Sequence, residues 1–242
     1  MRLKICHLYP DLMDLYGDRG NITTLVKRSG WRGIEAEVSK ISLGQAVDFR
    51  DWDIVFLGGG SDREQGLLFA DLCKRRDNLS AAIEDGLVLL GICGGLQLLG
   101  KYYQTSQGEK IPGLEILDLW TLGGTKRLIG NVCIELNDLQ VQFPTLVGFE
   151  NHSGQTFLGQ VQPLGKVIKG YGNNGQDGGE GVQYKNVYGT YLHGPLLPKN
   201  PHFADLLLSK AVERRSGNSN LRKLDDTLEL AAHNYMLNRL KQ

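Results

Sequence analysis

Cys93 stands in a glycine frame, Gly91-Ile92-Cys93-Gly94-Gly95, between the apolar run Leu87 to Leu90 and a helix-like stretch from Leu96 to Tyr102. A strand, a sharp turn carrying a nucleophile and then a helix make the geometry of a nucleophile elbow, here with Cys in place of Ser. Glycines on both sides let strand and helix approach closely. The turn pushes the sulfur out at the carboxyl end of the strand. The helix N-terminus points N–H groups and a partial positive charge at it, which favours thiolate over thiol. A buried, inert thiol beside a glycine turn is the plainer account of the same residues.

A cysteine nucleophile needs a base, usually a histidine held by a third group. Of the five histidines, His193 ends the strand-like run Val187 to Leu192 and is followed by Gly194-Pro195, so it can share a rim with Cys93. His152, in Gly148-Phe149-Glu150-Asn151-His152-Ser153-Gly154, is the competing candidate. His202 and His233 read as surface residues, and His7 sits inside a strand. Gly58-Gly59-Gly60 offers unobstructed backbone N–H groups beside a helix start, which suits an oxyanion hole. It is neither a P-loop nor a G-x-G-x-x-G dinucleotide fingerprint, and no ATP motif occurs elsewhere. Arg127 precedes a predicted strand and has a fork that could hold a substrate carboxylate, although most arginines are simply solvated.

The elements that must position these groups alternate over the first hundred residues. Strands are predicted at Leu3–Leu8, Ile34–Val38, Asp53–Leu57 and Leu87–Leu90. A helix capped by Asp18 or Asn21 runs to about Arg28. A second helix, opened by Ser61-Asp62-Arg63-Glu64 with capping-box spacing, runs to about Arg76, and a short one lies near Ser80–Asp85. Such alternation implies a mostly parallel sheet with helices on both faces, whose ligands bind beyond the carboxyl ends of the strands. Gly58–Gly60 and Cys93 both fall at such ends. From about 113 to 192 the pattern changes to strands and turns: Leu114–Leu122, Ile129–Leu136, Leu146–Phe149, Val167–Lys169 and Val187–Leu192. The glycine-rich stretch 170–181 reads as a surface loop. Two amphipathic helices follow, near Phe203–Arg215 and Asp225–Leu240. The expected division is one domain over 1–200 with a helical extension, 201–242, packed on it.

Composition narrows the classes. The 242 residues carry 27 Lys+Arg and 27 Asp+Glu, and no long basic run favours nucleic acid or a membrane surface. The start, Met1-Arg2-Leu3-Lys4-Ile5-Cys6, reads as a strand rather than a signal peptide, and no apolar run reaches the roughly 20 residues of a membrane helix. Cys6, Cys73, Cys93 and Cys133 form no C-x-x-C pair, and no histidine stands at metal-ligand spacing from them. A reduced, cytoplasmic setting is expected, with no metal and no resident cofactor.

Taken together, the chain resembles the class I, triad-type glutamine amidotransferases, and more closely their cobyric acid synthase-like branch. The stretch Gly91 to Gly100, with Gln97 four residues after the cysteine, resembles the nucleophile motif. The supporting segments are Tyr9 to Asn21, Gly58 to Gln65, Gly148 to His152, Gly170 to Asn174 and Gly189 to Pro195. The resemblance implies a flavodoxin-like amidotransferase fold with added antiparallel strands and C-terminal helices. It also implies that Cys93 attacks the side-chain amide of glutamine and that His193 serves as base and then acid. Gly94, with Gly59 and Gly60 of the glycine turn, would hold the oxyanion; Arg127 would bind the substrate, and Gln97 would border the pocket. Within the branch, the likeness is to glutaminase subunits that pass ammonia to a Mur-ligase-like synthetase. That partner holds ATP and amidates the α-carboxyl of D-glutamate in lipid II.

One departure stands out. Many class I members carry a glutamate two residues after the catalytic histidine, where this chain has Pro195. The third group is therefore absent or comes from elsewhere, with Glu150 one candidate. Alternatives on the same scaffold are ammonia supply to another acceptor such as a corrinoid, a γ-glutamyl hydrolase or cysteine peptidase, and a non-catalytic binding module.

Overall fold

The computed structural model describes residues 1–15, 18–137, 139, 141 and 143–241. The first half alternates as its apolar patterning requires: β1 (Arg2–Leu8), α1 (Arg19–Gly30), β2 (Glu35–Ile41), β3 (Ile54–Leu57), α2 (Asp62–Cys73), α3 (Arg76–Glu84), β4 (Val88–Ile92) and α4 (Gly94–Leu99). Then come two short strands, β5 (Tyr102–Gln104) and β6 (Lys110–Pro112), and two long ones, β7 (Leu119–Leu136) and β8 (Thr145–Leu158). The chain closes with β9 (Gly165–Lys169), β10 (Gly179–Glu180), β11 (Val182–Tyr184), β12 (Val187–Thr190), α5 (Leu196–Lys199), α6 (Pro201–Ser216) and α7 (Thr227–Lys241).

The main sheet has the order β11-β12-β4-β3-β1-β2 and is parallel except for the β11–β12 edge. Its central strands are buried on both faces. Leu3, Ile5, Ile54, Phe56, Val88 and Leu90 pack with Leu25 of α1 and Phe203 and Leu207 of α6. The alternate residues Cys6, Leu8, Val55, Leu57 and Leu89 pack with Leu68 and Leu72 of α2 and Ile83 of α3. A strand sandwiched between two helical layers needs this continuous apolar run rather than strict alternation. The second sheet, β10-β9-β7-β5-β6 with β8 on β7, is largely antiparallel and stands beside the first. The two meet where Phe149 and His193 exchange backbone hydrogen bonds of 3.3 and 2.7 Å.

Four expectations need correction. The two strands predicted around Arg127 are one, β7, because a register shift between Gly123 and Leu128 absorbs the apparent turn. The helix expected to run to Arg76 stops at Cys73, and α3 starts at Arg76 instead of near Ser80. Stretch 170–181 is not a plain surface loop: Asn173, Asn174 and Glu180 are buried within it. Asn173 bridges to both the N–H and the carbonyl of Gly181, and Asn174 donates to the carbonyl of Thr156. His202 and His233 are buried, not exposed. Their rings meet edge to face at 5.2 Å, and they bond to Thr145 and the Lys199 carbonyl, so they fasten α6 and α7 to the body. Among the described residues no helix is long and apolar enough to cross a membrane.

Candidate functional site

Cys93 caps β4 and opens α4 with φ 51° and ψ −104°. A non-glycine residue rarely takes this conformation, which stores strain of order 1–3 kcal/mol and persists only where the surroundings enforce it. The enforcement is visible at Gly95, where a Cβ would lie 2.4 Å from the carbonyl oxygen of Leu57. Only glycine lets α4 start this close to β3. The half-buried sulfur therefore sits at the carboxyl edge of the sheet, above the first turn of α4.

β12 lies beside β4 in parallel register, Thr190 opposite Ile92, so the chain leaving β12 brings His193 to the same edge. His193 is buried, and its Nδ1 is 3.6 Å from Oδ1 of Asp18, which is itself fully buried. The other oxygen of Asp18 accepts the Gly59 N–H at 2.8 Å. Gly59 lies against both side chains: a Cβ there would be 3.3 Å from His193 Cε1, a tight contact, and 3.6 Å from Cys93 Cβ. Burial alone would lower the His193 pKa. Its hydrogen bonds to Asp18 and to Cys93 outweigh that and raise it to about 9. Cysteine, histidine and aspartate thus converge from the ends of β4, β12 and β1.

Sequence reasoning placed Asp18 only as a helix cap, yet its side chain makes no capping bond and turns toward Gly59 and His193. The available signal was topological, since Asp18 follows β1 at the ligand-binding edge. Glu150 is not the partner of His193. Its oxygens accept the Tyr171 and Gly172 N–H groups, and it faces His152 at 3.9 Å. His152 lies flat on the Tyr191 ring, centroids 3.7 Å apart, with Nδ1 on the Gly154 carbonyl.

Next to Cys93 opens a cavity of about 460 Å³, lined by Gly60, Gln97, Tyr103, Arg127 and His152 among others. The Gly59 N–H is taken up by Asp18, so an oxyanion bound here would draw on the other N–H groups of the two glycine turns, those of Gly60 and the first turn of α4. A Cβ on Gly94 would sit 3.0 Å from the Gly60 nitrogen, so these two turns are in contact. Gln97 is buried. It accepts from Gln65 at 2.9 Å and donates to the Tyr191 hydroxyl at 3.0 Å, and Tyr191 continues to Thr156. Gln65 in turn reaches the Gly60 carbonyl at 3.4 Å. The chain of bonds ties the glycine turn to the segment bearing His193. Arg127 lies exposed in the shifted part of β7, with Nε on Asn151 Oδ1 at 3.0 Å and Nη2 on the Asn151 carbonyl at 3.3 Å. Gln65, Asn151 and Tyr191 fall within segments that carry the family resemblance, but the sequence assigns no chemistry to them individually. Among the described residues no group of three or more His, Cys, Asp or Glu side chains is arranged to hold a metal ion.

The architecture is that of the class I glutamine amidotransferases: a mostly parallel sheet, helices on both faces and a cysteine elbow at the strand ends. A glutamine amidotransferase of known crystal structure superimposes with a TM-score of 0.57 at 19% identity, over 85% of this chain and 98% of that one. The chain belongs to the CobB/CobQ-like glutamine amidotransferase domain family, whose profile matches residues 4–201. It is 45% identical over 237 residues to the protein named lipid II isoglutaminyl synthase (glutamine-hydrolyzing) subunit GatD of Staphylococcus aureus strain N315, covering 98% of this chain and 96% of that one. It is 43% identical over 218 residues to the GatD subunit of Streptococcus pneumoniae strain R6, covering 89% of this chain and 83% of that one.

Proposed function

We propose that this chain is the glutaminase subunit of a lipid II isoglutaminyl synthase. It hydrolyses L-glutamine through a cysteine thioester and supplies ammonia to an ATP-dependent, Mur-ligase-like partner of the MurT type. That partner amidates the α-carboxyl of D-glutamate in lipid II. Residues 1–200 carry the glutaminase unit, and 201–242 form a helical extension packed on it. The observation that carries the reading is Cys93, held in a strained turn beside the buried His193, in a chain 45% and 43% identical to two GatD subunits over 98% and 89% of its length.

The roles follow from the geometry. With Nδ1 turned to Asp18, His193 presents Nε2 to the sulfur and holds the thiol proton. Cys93 Sγ attacks the amide carbon of the substrate. The Gly60 and Gly94 N–H groups receive the negative charge that develops on the carbonyl oxygen. His193 then gives its proton to the leaving nitrogen, releasing ammonia and leaving a γ-glutamyl thioester. Water, deprotonated by His193, resolves the thioester to glutamate and regenerates the thiol. Asp18 fixes the ring and stabilises its charge. Arg127, steadied by Asn151, binds the substrate carboxylate, and Gln97 forms the pocket wall.

Ammonia release from glutamine by the purified chain, alone and mixed with its Mur-ligase-like partner, tests the reading. Activity is expected to rise with the partner and to fall by at least about 10³-fold in Cys93→Ala, with folding and partner binding retained. Full activity in that variant removes the nucleophile. No ammonia from the wild-type chain under either condition removes the glutaminase.

A further inference from the structure

We propose that Asp62 receives the α-ammonium group of the substrate, across the cavity from Arg127, so that the pocket selects a zwitterionic amino acid amide. The inference rests on the glutaminase reading and names how that site recognises its substrate. Glutamine brings two charges into the cavity besides the amide that reacts. Each loses hydration on entry and needs a counter-charge or hydrogen-bond partner there. Arg127 and Arg63, which both line the cavity, offer positive charge to the carboxylate. Among the described residues lining the cavity, Asp62 supplies the carboxylate that the ammonium needs.

The side chain is held ready for this role. Ser61 caps α2 in a reciprocal capping box with Glu64, which fixes the backbone at Asp62. The hydroxyl of Tyr103 donates to Asp62 Oδ2 at 3.2 Å. Tyr103 is buried, and burial, with the charge of Asp62, pushes its phenol up to about 12, so it stays a donor throughout the neutral range. No described side chain or backbone N–H occupies the second oxygen, Oδ1. Cys93 borders the same cavity, so an amino acid spanning Asp62 and Arg127 carries its side-chain amide past the sulfur.

The competing account is that Asp62 merely complements the dipole of α2 from its first turn. The two separate when the substrate is varied. Glutaramate has the same amide and carboxylate as glutamine but hydrogen in place of the ammonium. Asp62→Asn keeps the acceptor for Tyr103 and removes the charge. For the complex with its synthetase partner, kcat/KM for glutamine is expected to fall roughly 10- to 100-fold in this variant, chiefly through KM, as for one lost charge-assisted bond. For glutaramate it is expected to change less than about two-fold, since there is no ammonium to lose. Asp62→Glu is expected to recover part of the preference. Equal losses on both substrates, or an unchanged KM for glutamine, overturn the assignment while leaving the glutaminase in place. If the wild-type complex releases no Cys93-dependent ammonia from either amide, the glutaminase reading fails and the assignment falls with it.

Discussion

His193 keeps a proton that burial would strip from it, because Asp18 and Cys93 stand on either side. Its raised pKa, about 9, means that the charged ring persists through neutral pH and is lost as the pH climbs through that value. Replacing Asp18 by Asn keeps the size and hydrogen-bonding capacity at Gly59 but removes the charge. The expected result is a fall in kcat of about 10²- to 10⁴-fold with KM nearly constant, as when the orienting acid of a catalytic triad is neutralised. The alkaline limb of the rate profile is also expected to move to lower pH, because the proton on His193 is held less tightly. A kcat within two-fold of wild type and an unmoved limb would remove Asp18 from the mechanism. Cys93 and His193 were legible in the sequence because each ends an apolar strand in a glycine turn. Asp18 was not, since nothing in its neighbours distinguishes a carboxylate that caps a helix from one that turns back into the sheet edge.

At the level of elements, the sequence revealed what is local. The capping box at Ser61 and the glycine frame of the elbow at Cys93 are written in neighbours within four residues, and both form as read, although the strained turn at Cys93 is held by the packing of Gly95 on β3. The course of β7 is set by pairing with β8, where Leu128 and Ile129 pair with His152 and Asn151, more than twenty residues away, so its Gly123–Leu128 stretch reads as a gap between two strands. The attachment of the C-terminal helices is likewise non-local. Arg28 of α1 is 2% exposed and binds Asp205 of α6 and Asp226, just before α7, with bonds of 2.7–2.8 Å. Arg32 joins from the next turn through Asp205 and the carbonyl of Arg222. Removing one member of such a cluster strands the others. Arg28→Met is expected to cost about 3 kcal/mol, lowering the thermal midpoint by roughly 6–12 °C in a chain of this size. The KM for glutamine is expected to stay put, because the cluster is remote from the cavity. A thermal midpoint within 2 °C of wild type would show that the cluster contributes nothing net.

For the molecule as a whole, the buried histidine pair makes acid stability measurable at one position. Burial first, then the neighbouring His233, lowers the His202 pKa to about 4; the His202 bond to the Thr145 carbonyl and Asp205 act against this. The unfolded chain takes up that proton near pH 6.5, so the contribution of neutral His202 is complete above 6.5 and is lost as the pH falls toward 4. A shift of this size is worth on the order of 3 kcal/mol. Thermal midpoints of the wild type are therefore expected to fall more steeply between pH 6.5 and 4 than those of His202→Asn, and parallel curves would refute the linkage. What the sequence determined by itself was the alternation of elements, the strand ends at which chemistry can occur and the presence of a cysteine and a histidine at two of those ends, because these follow from short-range patterning and from residue chemistry. Only the tertiary structure decided which carboxylate stands beside His193, that the Gly59 N–H is taken up by it, and that Asp62 and Arg127 line one cavity with Cys93. Those groups lie far apart in the chain, and they meet only because parallel strands bring their carboxyl ends to one edge.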